Sequence, residues 1–148
     1  MDFKVSREAF LRVLTHVSSI VDSRSTIPIL SNIYIKCDNN QIEIRSTDMD
    51  ISIREFVSTD SSKNGEATVN SRILTDIIRK IKKNSIVKCK LEGNRLIINS
   101  DNSAFELNAL TADEFPKFVP LDSTSSFELS ISEIMRLFNK TKFAISAE

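Results

Sequence analysis

Three segments of this chain repeat one strand–helix pattern: FKVSREAFLRVL from Phe3, ATVNSRILTDII from Ala67 and FELSISEIMRLF from Phe127. The copies start 64 and 60 residues apart. Each opens on alternating strand residues and passes through a small polar residue suited to an N-cap (Ser6, Asn70, Ser130). Each then continues with apolar residues at helical spacing. Repetition at this period means that one supersecondary unit is used again, so the fold must be one that such units build by packing on each other.

The first copy predicts a strand over 3–5 and a helix over 7–20, with Ala9, Phe10, Val13, Leu14, Val17 and Val21 on one stripe. Strand-like runs follow at 33–37, 41–46 and 50–56, with turn chemistry at Asp38-Asn39-Asn40. Polar residues 58–65 end the group. The second copy predicts a strand over 66–69 and a helix to residue 83, striped by Leu74, Ile77, Ile78 and Ile81. Strands follow at 86–91, 95–99 and 104–110, turning at Glu92-Gly93-Asn94. CDNNQIEIRSTD from Cys37 aligns with LEGNRLIINSDN from Leu91. Two βαβββ halves, 1–57 and 65–110, therefore predict an α+β fold: antiparallel sheet with two helices on one face. Residues 111–126, with Pro116 and Pro120, read as a linker. The third copy predicts a strand from Phe127, a helix to Thr141 and a new strand at Phe143. The expected division is a domain over 1–120 and the start of a second over 121–148. A strand and helix without partner strands bury little, so a longer protein is expected.

The 148 residues carry 20 basic and 20 acidic side chains, and the net charge is zero. Their distribution is uneven. The three predicted helices hold ten Lys and Arg against three acids, a surplus that the rest of the chain balances. A field segregated in this way attracts a polyanion locally although the molecule is neutral. Aligning the repeats stacks Arg12, Asp76 and Arg136 at one polar position, Thr15, Arg79 and Asn139 at the next, and His16, Lys80 and Lys140 beside them. This face is either an ordinary solvated surface or one that meets phosphates, and the residues alone leave both open. No aromatics interleave with the cations for base stacking. Cys37 and Cys89 lie in apolar strands without metal spacing and read as buried thiols of a cytoplasmic protein. No run of about 18 apolar residues spans a membrane. Catalytic patterns are missing. His16 is a surface residue, and no phosphate loop or nucleophile elbow is present. Asp48, Asp50 and Asp101 could serve a metal-dependent nuclease, but turn chemistry accounts for them. A protein-interaction module with solvated helices is the other rival.

With the repeats placed, the chain resembles the bacterial DNA polymerase III β subunit family, the sliding clamps. The resemblance covers all 148 residues and rests on FKVSREAFLRVLTHVSSIV, RSTIPILSNIYI, STDMDISI, VNSRILTDIIRKI, LEGNRLIINS, SAFELNAL and ADEFPKF. It implies the DNA-clamp fold and a head-to-tail ring of two protomers around duplex DNA. It also implies a non-catalytic processivity role without metal or cofactor, and polymerase and clamp-loader contacts made by other parts of the family's proteins. Matched by position, Arg24, Arg72 and Arg79 face DNA in the family. Lys80, Arg12, Arg136 and Lys140 extend that basic set. Phe105, Leu107 and Ile77 match positions at the interface between protomers.

Overall fold

The computed structural model describes residues 1–21, 26–101, 103–117 and 127–145. The chain forms two compact units, Met1–Phe118 and Val119–Glu148. In the first, β1 (Asp2–Ser6) leads into α1 (Arg7–Val17), then β2 (Asn32–Asp38), β3 (Gln41–Thr47) and β4 (Ser52–Ser58). After β5 (Asp60–Lys63) the order repeats: β6 (Gly65–Asn70), α2 (Ser71–Lys80), β7 (Ile86–Glu92), β8 (Arg95–Ser100) and β9 (Ser103–Leu110).

The caps act as their chemistry dictates. Ser6 Oγ accepts from the Ala9 N–H at 3.2 Å, and Asn70 Oδ1 from the Ile73 N–H at 3.0 Å. Asn39 and Asn40 take left-handed φ values of 46° and 63° in the two-residue β2–β3 turn, which small polar residues tolerate.

The strands run β4-β3-β2-β6-β9-β8-β7-β1-β5, antiparallel in every pairing. The halves are interlocked. β1 pairs with β7 of the second half, and β6 pairs with β2 of the first. Each half therefore completes the other's sheet, and neither 1–57 nor 65–110 is a free-standing layer. β9 pairs with β8 from Ser103 to Asn108 and with β6 only at Thr68↔Leu110 and Val69↔Ala109.

The core lies between sheet and helices. Phe10, Val13, Leu14 and Val17 of α1 and Leu74 and Ile78 of α2 are buried on the inward residues of β1, β2, β3, β6, β7 and β8. Phe3 and Phe10 meet edge to face at 6.2 Å. Each such side chain contributes roughly 1.5–3 kcal/mol by leaving water. Cys37 and Cys89 are buried free thiols in this core, and burial raises the pKa of both.

Several expectations are corrected. Residues 60–63 form a strand because β1 offers an edge (Phe3↔Ser61), and Asn40 Oδ1 holds both the Ser61 N–H and its hydroxyl. α2 ends at Lys80, short of residue 83. Ile81 turns extended to bury its side chain, so Lys82 and Lys83 lie in the turn before β7. The start of the expected linker is packed: Phe115 is buried and its ring lies 5.7 Å from that of Tyr34 on the outer face of the sheet. The rest of that linker, 118–126, falls outside the described residues.

In the second unit, α3 (Ile131–Thr141) is capped by Ser130, which exchanges hydrogen bonds with Glu133 in a capping box. Residues 127–130 are not in a strand, and 142–144 form a 3₁₀ turn where a strand was expected at Phe143. A strand requires a neighbour to bond, and none pairs with these residues among those described. Ile131, Met135, Leu137 and Phe138 are exposed.

Candidate nucleic-acid interface

α1 and α2 lie side by side and antiparallel, joined by polar contacts at both ends. At one end Ser18, just past α1, meets Ser71 Oγ at 2.7 Å and Thr75 Oγ1 at 3.1 Å. At the other, Arg7 donates to the Ile78 and Arg79 carbonyls at 3.1 and 2.8 Å, and Glu8 accepts from the Asn84 N–H at 2.9 Å. That last bond lowers the Glu8 pKa. The apolar stripes of both helices face the sheet, so helical geometry turns Arg12, Arg72, Arg79 and Lys80 outward. Arg12, Arg72 and Lys80 have no ion-pair partner among the described residues. Arg79 pairs with Asp76 at 2.7 Å, one turn back on the same helix. Arg72, Asp76, Arg79, Ser18 and Thr75 line a groove of about 720 Å³.

The cations are thus fewer than the sequence total suggested. Arg7 is 8% exposed and spent on the last turn of α2. His16 turns to Glu55 of β4. What remains is a band of exposed charges on long stems. Such a surface attracts phosphates at a distance and positions without reading sequence.

Three-quarters of β9 is open on one side. Ser103–Asn108 bond only β8, and their other edge has no strand partner among the described residues. Leu107 is buried and Phe105 half-buried; both pack against the core, as does Ile77 of α2. An edge of unpaired N–H and C=O groups is a template for another strand.

The whole of residues 1–119 matches the family model for the DNA polymerase III beta subunit, N-terminal domain. The chain belongs to the DNA polymerase III beta subunit family. It is 30% identical to a beta sliding clamp of Pseudomonas aeruginosa and 34% to one of Caulobacter vibrioides over its full length, spanning 41% and 40% of those proteins. It is 32% identical over 97% of its length to a Vibrio harveyi beta sliding clamp sequence that it spans completely. Among solved structures, Caulobacter crescentus pol III beta superposes with a TM-score of 0.95 at 34% identity, and a Bartonella birtlesii sliding clamp bound to griselimycin with 0.96 at 33%. Each match covers all of this chain and 40% of the other. The α+β clamp fold is therefore that of the beta subunit family.

Within that frame, the structure brings Arg72 and Arg79 to one groove and sets Arg12 and Lys80 on the same pair of helices. Arg136 and Lys140 stand one turn apart on exposed α3, in the other unit. Arg24 lies outside the described residues. No helix among the described residues is long and apolar enough to cross a membrane. Asp48 serves the backbone around it, since its Oδ1 accepts from the Asp50 and Ile51 N–H groups at 3.0 and 2.7 Å and closes the β3–β4 turn. The Ser18, Ser71 and Thr75 hydroxyls were not singled out from sequence; the one signal was a serine in α2 at the position of Arg7 in α1.

Proposed function

We propose that this chain supplies the first domain, residues 1–120, and the opening of a second, 121–148, of a ring-shaped sliding clamp that encircles duplex DNA and tethers the replicative polymerase. The carrying observation is the band of Arg12, Arg72, Arg79 and Lys80 on the face of the helix pair turned away from the sheet. Arg24, Arg136 and Lys140 complete the proposed DNA-contact set. Phe105, Leu107 and Ile77 form the proposed interface with a second protomer, whose strand would add to the open edge of β9. The clamp itself performs no bond chemistry and uses no metal or cofactor. The polymerase and the clamp loader bind elsewhere on the complete ring, in the cytoplasm.

The physical logic is that of a bearing. Processive movement needs attraction that is nearly equal at every position along the duplex, which exposed cations facing phosphates supply. Retention must come from closure of the ring, because contacts strong enough to hold would also stop sliding. The test is sedimentation of the complete protein, loaded on nicked circular DNA, before and after the circle is cut. Retention on circles and loss from linear ends is expected. Equal retention on both would mean plain electrostatic binding and overturn the ring.

A further inference from the structure

We infer that Arg7 is the positioning residue for the cationic end of α2. It fixes where Arg79 and Lys80 stand, and so acts on DNA through them rather than by touching it. The inference rests on the proposal that the α1–α2 surface faces DNA.

Arg7 occupies the first position of α1, where a basic residue reads from sequence as one more surface cation. Its side chain instead crosses to α2. Nε donates to the Ile78 carbonyl and Nη2 to the Arg79 carbonyl, with only 8% of the residue exposed. These acceptors belong to the last turn of α2, whose carbonyls have no partner further along the helix. A cation there also opposes the negative end of the helix dipole. One of the two carbonyls is that of Arg79 itself, so the anchor and the outward guanidinium share a residue. The chain leaves helical geometry at Ile81, immediately after the anchored carbonyls. Glu8 holds the following turn through Asn84, so Lys82 and Lys83 are tied to the same end of α1.

The equivalent position in α2 is Ser71, also buried and also reaching across to the last residues of the other helix, through Ser18. Both ends of the helix pair are therefore latched by the first residue of a helix. Only the Arg7 latch uses a charge, and it lies where the cations cluster. The planar fork matters because its fixed donors hold two carbonyls on successive residues at once, a geometry that a lysine ammonium with rotating donors does not preset.

The experiment uses the full-length protein carrying Arg7→Met, Arg7→Lys or Arg79→Ala/Lys80→Ala, and the last combined with each Arg7 change. Duplex affinity at fixed low salt and backbone amide exchange are both read. Arg7→Met is expected to weaken binding several-fold and to speed exchange at 78–83 while β2 and β3 keep their protection. Arg7→Lys recovers part of both. Neither Arg7 change weakens binding further once Arg79 and Lys80 are alanine. An undiminished Arg7 effect in that background, or faster exchange throughout the sheet, overturns the positioning role. If Arg7→Met fails to fold, Arg7→Lys carries the same comparison. Should Arg79→Ala/Lys80→Ala leave DNA binding unchanged, the DNA-facing proposal fails instead, and exchange at 78–83 alone decides whether Arg7 holds α2.

Discussion

Shift the sequence by 64 residues and Phe3 of β1 becomes Ala67 of β6. The neighbouring strands compensate: Phe3 lies opposite Cys89 and Ala67 opposite Ile35, all four buried. A large side chain meets a small one in each pair, with the order reversed. The helices follow the same pattern. Ser6 and Asn70 cap them with different groups, and Arg7 and Ser71 latch them with different chemistry. Buried equivalent positions thus keep a role while the side chains exchange, as core packing tolerates. Positions that face away from the core do not. Arg12 stands where the second half has Asp76, and Tyr34 where it has Lys88.

The deepest equivalent pair offers the hardest test of that equivalence. Phe10 and Leu74 are each fully buried at the same helical position. Phe10→Ala should cost about 3–5 kcal/mol and Leu74→Ala about 2–5 kcal/mol in chemical denaturation. Because the halves are interlocked, both should lower one shared transition. Two separate transitions, or a cost below about 1 kcal/mol at either site, would mean that the halves are energetically independent.

The outer faces of the halves differ more. Over the first half, Tyr34 donates to Glu66, Arg45 lies over its ring, and Phe115 stacks beside it. The equivalent Lys88 is exposed. Phe115→Ala should therefore destabilise by about 1.5–3 kcal/mol, measured by the same denaturation, although 111–126 read as linker. Burial, aided by the Glu66 carboxylate, raises the Tyr34 pKa above its ordinary value of 10.0. A raised phenol contributes stability that is complete below pH 10.0 and is lost as pH climbs through the folded value. Cys89 adds a similar loss from its ordinary value of 9.0 upward. Melting curves taken across this alkaline range should fall less steeply for Tyr34→Phe, and an unchanged slope would remove Tyr34 from the account.

Much of this was legible because local rules decided it. Periodicity found the buried stripes of α1 and α2, the cap residues marked where they begin, and Asn39-Asn40 marked a hairpin. Sequence similarity supplied the family. What could not be read has a common cause: a partner distant in the chain. β5 is DSSK, which shows no alternation and becomes a strand only because β1 offers an edge. The exchange of β1 and β6 between halves leaves no local trace. Arg7 looked like surface charge because nothing nearby in sequence says that α2 ends beside it. α2 stops early because Ile81 goes to the core.

The caps sharpen the comparison at smaller scale. Ser6→Ala and Asn70→Ala each remove one acceptor from an exposed helix start and should cost about 1 kcal/mol, again by denaturation. Similar values would show that the two helix starts are energetically alike despite their different latches. A much larger cost at Asn70 would point to the Ser71 contact being lost with the cap.

The smallest effect in energy bears most on function. Arg12 and Asp76 are equivalent exposed positions of opposite sign, and Asp76 holds Arg79 at 2.7 Å. Exposed pairs of this kind are worth only about 0–1 kcal/mol to stability, so both substitutions should leave melting nearly unchanged. DNA is more discriminating. Each phosphate neutralised releases condensed counterions, and the slope of log affinity against log salt changes by about 0.9 per contact. Arg12→Ala should flatten the slope by about one such step, and Asp76→Asn should steepen it by up to about one as Arg79 is freed for phosphate. The two changes should move the slope in opposite directions at equivalent sites. A shift of the same sign, or none for Asp76→Asn, would mean that Arg79 already meets DNA while paired. The carboxylate would then orient the guanidinium rather than restrain it.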